Sequence, residues 1–117
     1  MPFIELAALA EVQRAPGFHG RFIHTENVTF SYWRIEKNAL LPSHRHPHEQ
    51  ITVVIEGKLE LTVDGETRIL ERGDNGSGPP TVSVIPPNGE HGGKALTGCV
   101  VIDVFYPVRE DYRSVAR

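Results

Sequence analysis

Short segments of β-type residues, each ended by a glycine- or proline-containing turn, run through most of this sequence. The clearest is LELTV at 59–63, where every second residue is apolar, which predicts a strand with one buried and one solvated face. Asp64-Gly65 directly after it is typical of a two-residue hairpin turn. Seven or more such strands predict an all-β fold, a sandwich or barrel, rather than a helical bundle.

The other predicted strands are rich in β-branched and aromatic residues, and they lie at 20–25, 27–36, 50–56, 66–70, 81–85 and 99–106. The segments between them are predicted to be irregular: a connection at 38–43, a loop at 73–80 and a polar, glycine-rich turn at 88–93. The first fifteen residues fit either a short helix or an edge strand. A chain of 117 residues is expected to form one domain, 1–117.

Charge and hydropathy bear on the possible partners. The net charge is −3 and no basic run occurs, so nucleic-acid binding has no electrostatic support. No apolar stretch approaches the roughly 18–20 residues that span a membrane, and the N-terminus lacks the basic start of a signal peptide. A cytoplasmic protein that binds no membrane is expected. The single cysteine, Cys99, lies in a Val/Ile run and is predicted to be a buried apolar residue rather than a nucleophile.

The segment HRHPHEQ, residues 44–50, brings together residue types that bind metals. His44 and His46 are two apart, so on an extended chain they point to the same side, and Gln50 has the same parity. Neutral imidazoles are common ligands of first-row metals, and two of them form a chelate. These residues therefore predict a metal site at the entry of a buried strand.

Three points about this site stay open from the residues alone. A solvated polar loop is the alternative to a metal site, although a further histidine in the Pro/Gly-rich turn, His91, favours the metal. Glu49 could compete with Gln50 for the ion. His48 is either a spare ligand or a neighbour of the ligands.

These motifs resemble those of the cupins. His44-x-His46-x3-Gln50-x6-Gly57 is similar to the first cupin motif, with Gln where many cupins have Glu, and IPPNGEH at 85–91 looks like the second. The resemblance covers about residues 20–112 and implies a jelly-roll barrel, a double-stranded β-helix of two antiparallel sheets. It also implies that His44, His46, Gln50 and His91 hold one divalent transition metal (Ni, Zn, Fe, Mn or Cu) in the lumen.

A narrower resemblance is to the KdgF type of cupin, and it rests on HRHPHEQ, on EGKLELTVDGE at 56–66 and on IDVFYPVREDY at 102–112. That family acts in pectin and alginate breakdown and converts 4,5-unsaturated monouronates into their linear, ketonised form. The resemblance implies that Asp103, Phe105 and Arg109 are catalytic residues and that the substrate is a small, anionic, sugar-like molecule.

The residues themselves support part of that expectation. Asp103 interrupts an apolar strand, where a carboxylate is costly unless it is paired or functional. It shares parity with Val101 and Phe105, so all three are expected on one face, and a lumenal Asp103 could act as a general acid/base. Arg109 could bind a uronate carboxylate with two hydrogen bonds. The structural alternative is an Asp103–Arg109 salt bridge that fixes the C-terminal turn.

Two other functions remain possible for such a chain: a dioxygenase-type cupin with a redox metal, and a non-catalytic module that binds a sugar or effector. The loop at 74–81 is longer than a small cupin needs and is expected either over a sheet edge or at the rim of the pocket. A homodimer is expected because pairing would cover an exposed sheet edge.

Overall fold

The computed structural model describes residues 2–115, with side chains as far as Arg113. Within this range ten strands are present: β1 (Val12–Ala15), β2 (Phe18–His24), β3 (Thr29–Ile35), β4 (Leu40–His44), β5 (Glu49–Glu56), β6 (Leu59–Val63), β7 (Glu66–Leu70), β8 (Val82–Ile85), β9 (His91–Ala95) and β10 (Cys99–Tyr106). The helical segments are short: a 3-10 turn (Leu6–Ala8), α1 (Gly73–Gly76) and α2 (Glu110–Val115).

The strands form two antiparallel sheets. The larger has the order β1-β2-β3-β10-β5-β8 and the smaller the order β4-β9-β6-β7. The prediction of an all-β jelly roll of two antiparallel sheets is confirmed, although no ladder among the described residues joins the two sheets into a closed barrel.

Strand β10 lies inside the larger sheet and contributes one face to the core. This strand pairs with β3 on one side and β5 on the other, and alternate residues along it are buried. Its buried face carries Cys99, Val101, Asp103 and Phe105, so the predicted common face of the last three is confirmed. Cys99 is buried as expected, and burial raises the pKa of its thiol. The carboxylate of Asp103 therefore lies on the buried face of β10.

Two segments predicted to be irregular are strands. The connection 38–43 contains most of β4, because β4 is an edge strand, where Pro42 is tolerated. The turn at 88–93 contains the start of β9. Its glycines fit because the neighbouring backbone comes too close for a side chain: a Cβ on Gly92 would lie 2.8 Å from the Leu41 carbonyl oxygen.

The remaining predictions concern the ends and the long loop. Both alternatives for the N-terminal segment occur, as the 3-10 turn and as the edge strand β1. The loop at 73–80 contains α1, in which Asp74 and Asn75 have left-handed φ values of 50° and 54°, so α1 is not a regular helix. No helix in the described residues is long and apolar enough to cross a membrane. The homodimer stays a prediction.

Candidate metal centre

Three histidines converge between the sheets. His44 ends β4, His91 begins β9, and the two residues face each other in the β4–β9 ladder. His46 follows two residues after His44, just outside the strand. One ring nitrogen of each histidine lies within 4.8 Å of the other two. This separation is near the ~3–4 Å between ligand atoms around one ion with ~2.1 Å bonds, so the three residues are positioned to hold a metal.

Each of these imidazoles is oriented by a backbone carbonyl. The Nδ1 atoms of His44, His46 and His91 lie 2.9, 3.0 and 2.8 Å from the carbonyl oxygens of Pro42, His48 and Gly89, respectively. A carbonyl oxygen only accepts, so each Nδ1 carries the hydrogen and donates it. In the neutral form of each ring, Nε2 then has a free lone pair, which is the tautomer that binds a metal through Nε2.

The environment keeps two of these rings neutral. Burial lowers the pKa of His46 to about 4, and it also lowers the pKa of His91. The buried Nε2 of His91 has no hydrogen-bond partner among the described residues. An unpartnered acceptor inside a protein is costly unless something binds it. The donor set and this orphaned nitrogen both fit a divalent cation.

Gln50 is held with its oxygen towards His46. Thr52 donates its single hydroxyl hydrogen to Asp103 Oδ1 at 2.6 Å, and Gln50 Nε2 donates to Thr52 Oγ1 at 2.9 Å. The amide oxygen then faces His46 Nε2 at 3.0 Å. In this tautomer both atoms are acceptors, so no hydrogen bond joins the Gln50 oxygen to His46 Nε2. Their separation instead matches the distance between two adjacent ligand atoms on one ion. This arrangement supports Gln50 as a fourth ligand.

The neighbours left open by the sequence have different positions. Glu49 is exposed on the opposite face of β5 from Gln50. His48 is half-buried, and its ring centroid lies 5.4 Å from that of His46 and 6.5 Å from that of Phe105. The backbone carbonyl of His48 orients His46, so this residue serves the site at least through its main chain.

The opposite wall contains the predicted acid. Asp103 is 9% exposed, and burial raises the pKa of its carboxyl to about 6, although the hydrogen bond from Thr52 opposes this shift. The Phe105 ring stands edge-on to His46, with 5.7 Å between centroids. Asp103 and Phe105 therefore lie in the cavity of the histidines.

Arg109 also lies in this cavity, but it does not form the alternative salt bridge with Asp103. Its Nε and Nη2 atoms donate to the two carboxylate oxygens of Asp111 at 2.9 and 2.7 Å. This pairing lowers the pKa of Asp111 to about 2. The guanidinium lies 4.7 Å from the Phe105 ring centroid and 4.0 Å from that of Tyr112, so Arg109 is fixed at the side of the pocket.

The cavity has a volume of about 240 Å³. Its lining also includes Arg14, Thr52, Asp111 and Tyr112, which were not predicted as site residues from the sequence. Only Thr52 had a usable signal, because it shares the parity of Gln50. Among the described residues that line the cavity, none comes from the 74–81 loop, so the loop does not rim this pocket.

The family described as "Cupin domain" matches residues 31–105. "Pectin degradation protein KdgF" of Dickeya dadantii (strain 3937) is 37% identical over 78 residues, which are 65% of this chain and 64% of that protein. The matched part is therefore less than two thirds of that relative's length.

Two solved structures are similar over almost the whole chain. The structure of KdgF from Halomonas sp. has a TM-score of 0.83 at 28% identity, and the match covers 96% of this chain and 98% of that one. An RmlC-like cupin from Shewanella frigidimarina has a TM-score of 0.84 at 25% identity, with 96% of both chains covered.

Proposed function

This chain belongs to the cupin domain family, and we propose that it is a metal-dependent enzyme that converts 4,5-unsaturated monouronates into their linear, ketonised form. The observation that most supports this is that three imidazoles with free Nε2 atoms share one small cavity with the carboxyl of Asp103 and the guanidinium of Arg109. The similarity to two KdgF proteins, one described as a pectin degradation protein, supports the substrate class.

His44, His46 and His91 would hold the ion, with Gln50 as the fourth ligand. When bound, a divalent ion supplies a Lewis acid that polarises a substrate oxygen. None of these four side chains carries a negative charge in the neutral tautomers described above, so the set leaves the charge of the ion uncompensated. Such a site favours an anionic substrate over a neutral one.

The proposed reaction moves hydrogen without a net gain or loss of atoms. The anomeric hydroxyl loses its proton, the bond between C1 and the ring oxygen breaks, and the ring oxygen takes up a proton, which leaves an aldehyde at C1 and an enol hydroxyl at C5. A proton added at C4, with loss of the enol proton, then gives the ketone. A carboxyl with a pKa of about 6 can accept and return a proton near neutral pH, which is the role proposed for Asp103.

Arg109 and Phe105 would act beside this acid. The nitrogen edge of Arg109 that Asp111 does not occupy is available to a developing negative charge or to a uronate oxygen. Phe105 packs against the guanidinium and against His46, and it would keep that side of the cavity apolar. A low local dielectric strengthens each of these electrostatic contacts.

The test is to follow the loss of enol absorbance of an unsaturated galacturonate or guluronate with metal-loaded protein, against the spontaneous rate. Asp103→Asn should reduce the enzymatic rate by about 10²–10⁴-fold. Glu49→Gln is the matched control, because Glu49 is an exposed acid on the outer face of β5, and it should leave the rate unchanged. A wild-type rate no faster than the spontaneous reaction would refute the assignment, and metal-dependent oxygen uptake would point to a dioxygenase instead.

A further inference from the structure

We propose that Arg14, on the edge strand β1, binds the carboxylate of the substrate inside the cavity of the three histidines. This inference rests on the proposed function, because it assumes that the ligand is a sugar acid. Arg14 lies outside residues 31–105, the part of the chain that matches the cupin family. It lines the same cavity as His44 and Asp103.

The charge of Arg14 has no acidic partner among the residues that the structure describes. Among residues 2–113, Arg14 forms no ion pair, whereas five other arginines do (Arg21, Arg34, Arg45, Arg109 and Arg113). Its Nε is buried and has no hydrogen-bond acceptor in the described part of the chain. A native structure that leaves a buried cationic donor unsatisfied calls for an explanation, and a ligand is one.

The position of Arg14 is fixed by Tyr112. The Arg14 guanidinium lies 4.5 Å from the centroid of the Tyr112 ring, and the Arg109 guanidinium lies 4.0 Å from the same centroid. A guanidinium over an aromatic ring is oriented without using its N–H groups. Tyr112 therefore holds Arg14 in place while the Arg14 Nε remains unpaired among the described residues.

Arg109 does not offer the same opportunity. Its Nε and Nη2 edge, which is the edge suited to a two-pronged contact, is already occupied by both oxygens of Asp111. Of the two guanidiniums that share Tyr112, Arg14 is the one whose Nε is uncommitted. Arg109 therefore acts near the histidines, and Arg14 binds the carboxylate.

The size of the cavity fits such a ligand. A volume of about 240 Å³ lies slightly below the usual ~300–1,000 Å³ of small-molecule pockets, which favours a monosaccharide over a polymer. Much of the remaining wall is apolar and includes Phe18, Trp33 and Leu41. A single carboxylate on a small ring would satisfy Arg14 without leaving a second buried charge unpaired.

The experiment measures binding rather than turnover. Metal-loaded protein is titrated with galacturonate and, separately, with galactose, using calorimetry or NMR shifts. Arg14→Met keeps the length of the side chain and removes the charge, and it should weaken galacturonate binding by about 10–100-fold while leaving galactose binding unchanged. Arg14→Lys keeps the charge but loses the fork, so its affinity should lie between the two. If Arg14→Met is unstable, Arg14→Lys serves as the folded variant for the comparison.

Arg68→Met is the control, because Arg68 is exposed on β7 outside the cavity and its loss changes the net charge equally. This variant should bind galacturonate as the wild type does. The inference is overturned if Arg14→Met binds galacturonate as tightly as the wild type, if it loses galactose affinity to the same extent, or if the wild type does not prefer galacturonate.

The two proposals can fail separately. If the wild type does not accelerate ketonisation but its uronate binding depends on Arg14, the proposed reaction is refuted and the proposed carboxylate contact is supported. If ketonisation is found, Arg14→Met should raise KM with kcat nearly unchanged, because the contact is made in ground and transition states alike. An unchanged KM would leave the proposed activity standing and would refute the role of Arg14 in binding the substrate.

Discussion

The hydrogen-bonded series Asp103–Thr52–Gln50 makes a sharp prediction for Thr52→Val. Valine has nearly the shape of threonine, so the substitution removes a hydroxyl with little change in packing. That hydroxyl accepts from Gln50 at 2.9 Å and donates to Asp103 at 2.6 Å, and the three residues are 2%, 6% and 9% exposed. The substitution therefore removes one hydrogen bond from each of two buried polar groups at once.

The magnitude follows from those two groups. A buried donor or acceptor that loses its partner costs about 1–3 kcal/mol, and more when it is charged. Thr52→Val should therefore lower the free energy of unfolding by about 2–5 kcal/mol. It should also weaken metal binding by about 10–100-fold, the usual effect of removing a residue that orients a ligand. The reason is that the oxygen of Gln50 would no longer be held towards His46.

Two variants serve as comparisons. Thr52→Ser keeps the hydroxyl and loses only a methyl group, so its metal affinity should stay near that of the wild type, with a stability loss of about 1 kcal/mol. Thr62→Val removes a hydroxyl that bonds to Thr67 on the exposed β6–β7 hairpin, and it should not affect the metal.

The assays are chemical denaturation of the metal-free protein and competition for the metal with a chelator of known affinity. If Thr52→Val binds the metal as tightly as Thr52→Ser, the hydroxyl does not orient Gln50 and the reasoning is refuted.

Three further predictions concern the site and its supports. Chelation should lower the melting temperature of the wild type but not of His91→Ala, because a ligand that binds only the folded state stabilises it; calorimetry measures both. Gly92→Ala places a Cβ 2.8 Å from the Leu41 carbonyl oxygen, so it should displace β4 and cost about 1–3 kcal/mol in denaturation, with weaker metal binding. The pKa of Asp111 is about 2, below its ordinary 3.8, so its contribution to stability is present above about pH 4 and is lost as pH falls towards 2. Asp111→Asn should flatten the stability curve in that window, and an unchanged curve would contradict the Arg109 pairing.

Much of the fold followed from local pattern. Strand β6 is predictable because its apolar residues alternate with polar ones, which has a direct physical cause, one buried face. Strand β10 is predictable because β-branched and aromatic residues fill most of it. β4 and β9 lack both signals. Pro42 is tolerated at an edge and Gly92 is required by a close backbone, and both are properties of neighbours that only the folded chain brings together.

The same distinction applies to the site. His44, His46 and Gln50 lie within seven residues and share parity, so their spacing could nominate them. Asp103 stood out as a carboxylate in an apolar strand, and the resemblance to the KdgF type of cupin implied its catalytic role. Arg14 and Tyr112 are nearly a hundred positions apart in a chain of 117, and no periodicity links them. Their meeting depends on where β1 and α2 pack, which is tertiary information.

The carbonyls that orient the three imidazoles limit which parts of the sequence must be kept for such a site to persist in evolution. Each carbonyl belongs to a residue two positions from its histidine: Pro42, His48 and Gly89. The orientation of each ring is therefore encoded in two short stretches, 42–50 and 89–91, and not in the distant walls of the cavity. Those walls can differ between related proteins, and with them the choice of substrate, while the orientation of the three imidazoles is kept. Transplanting the two stretches into another jelly roll should carry the orientation of the imidazoles with them.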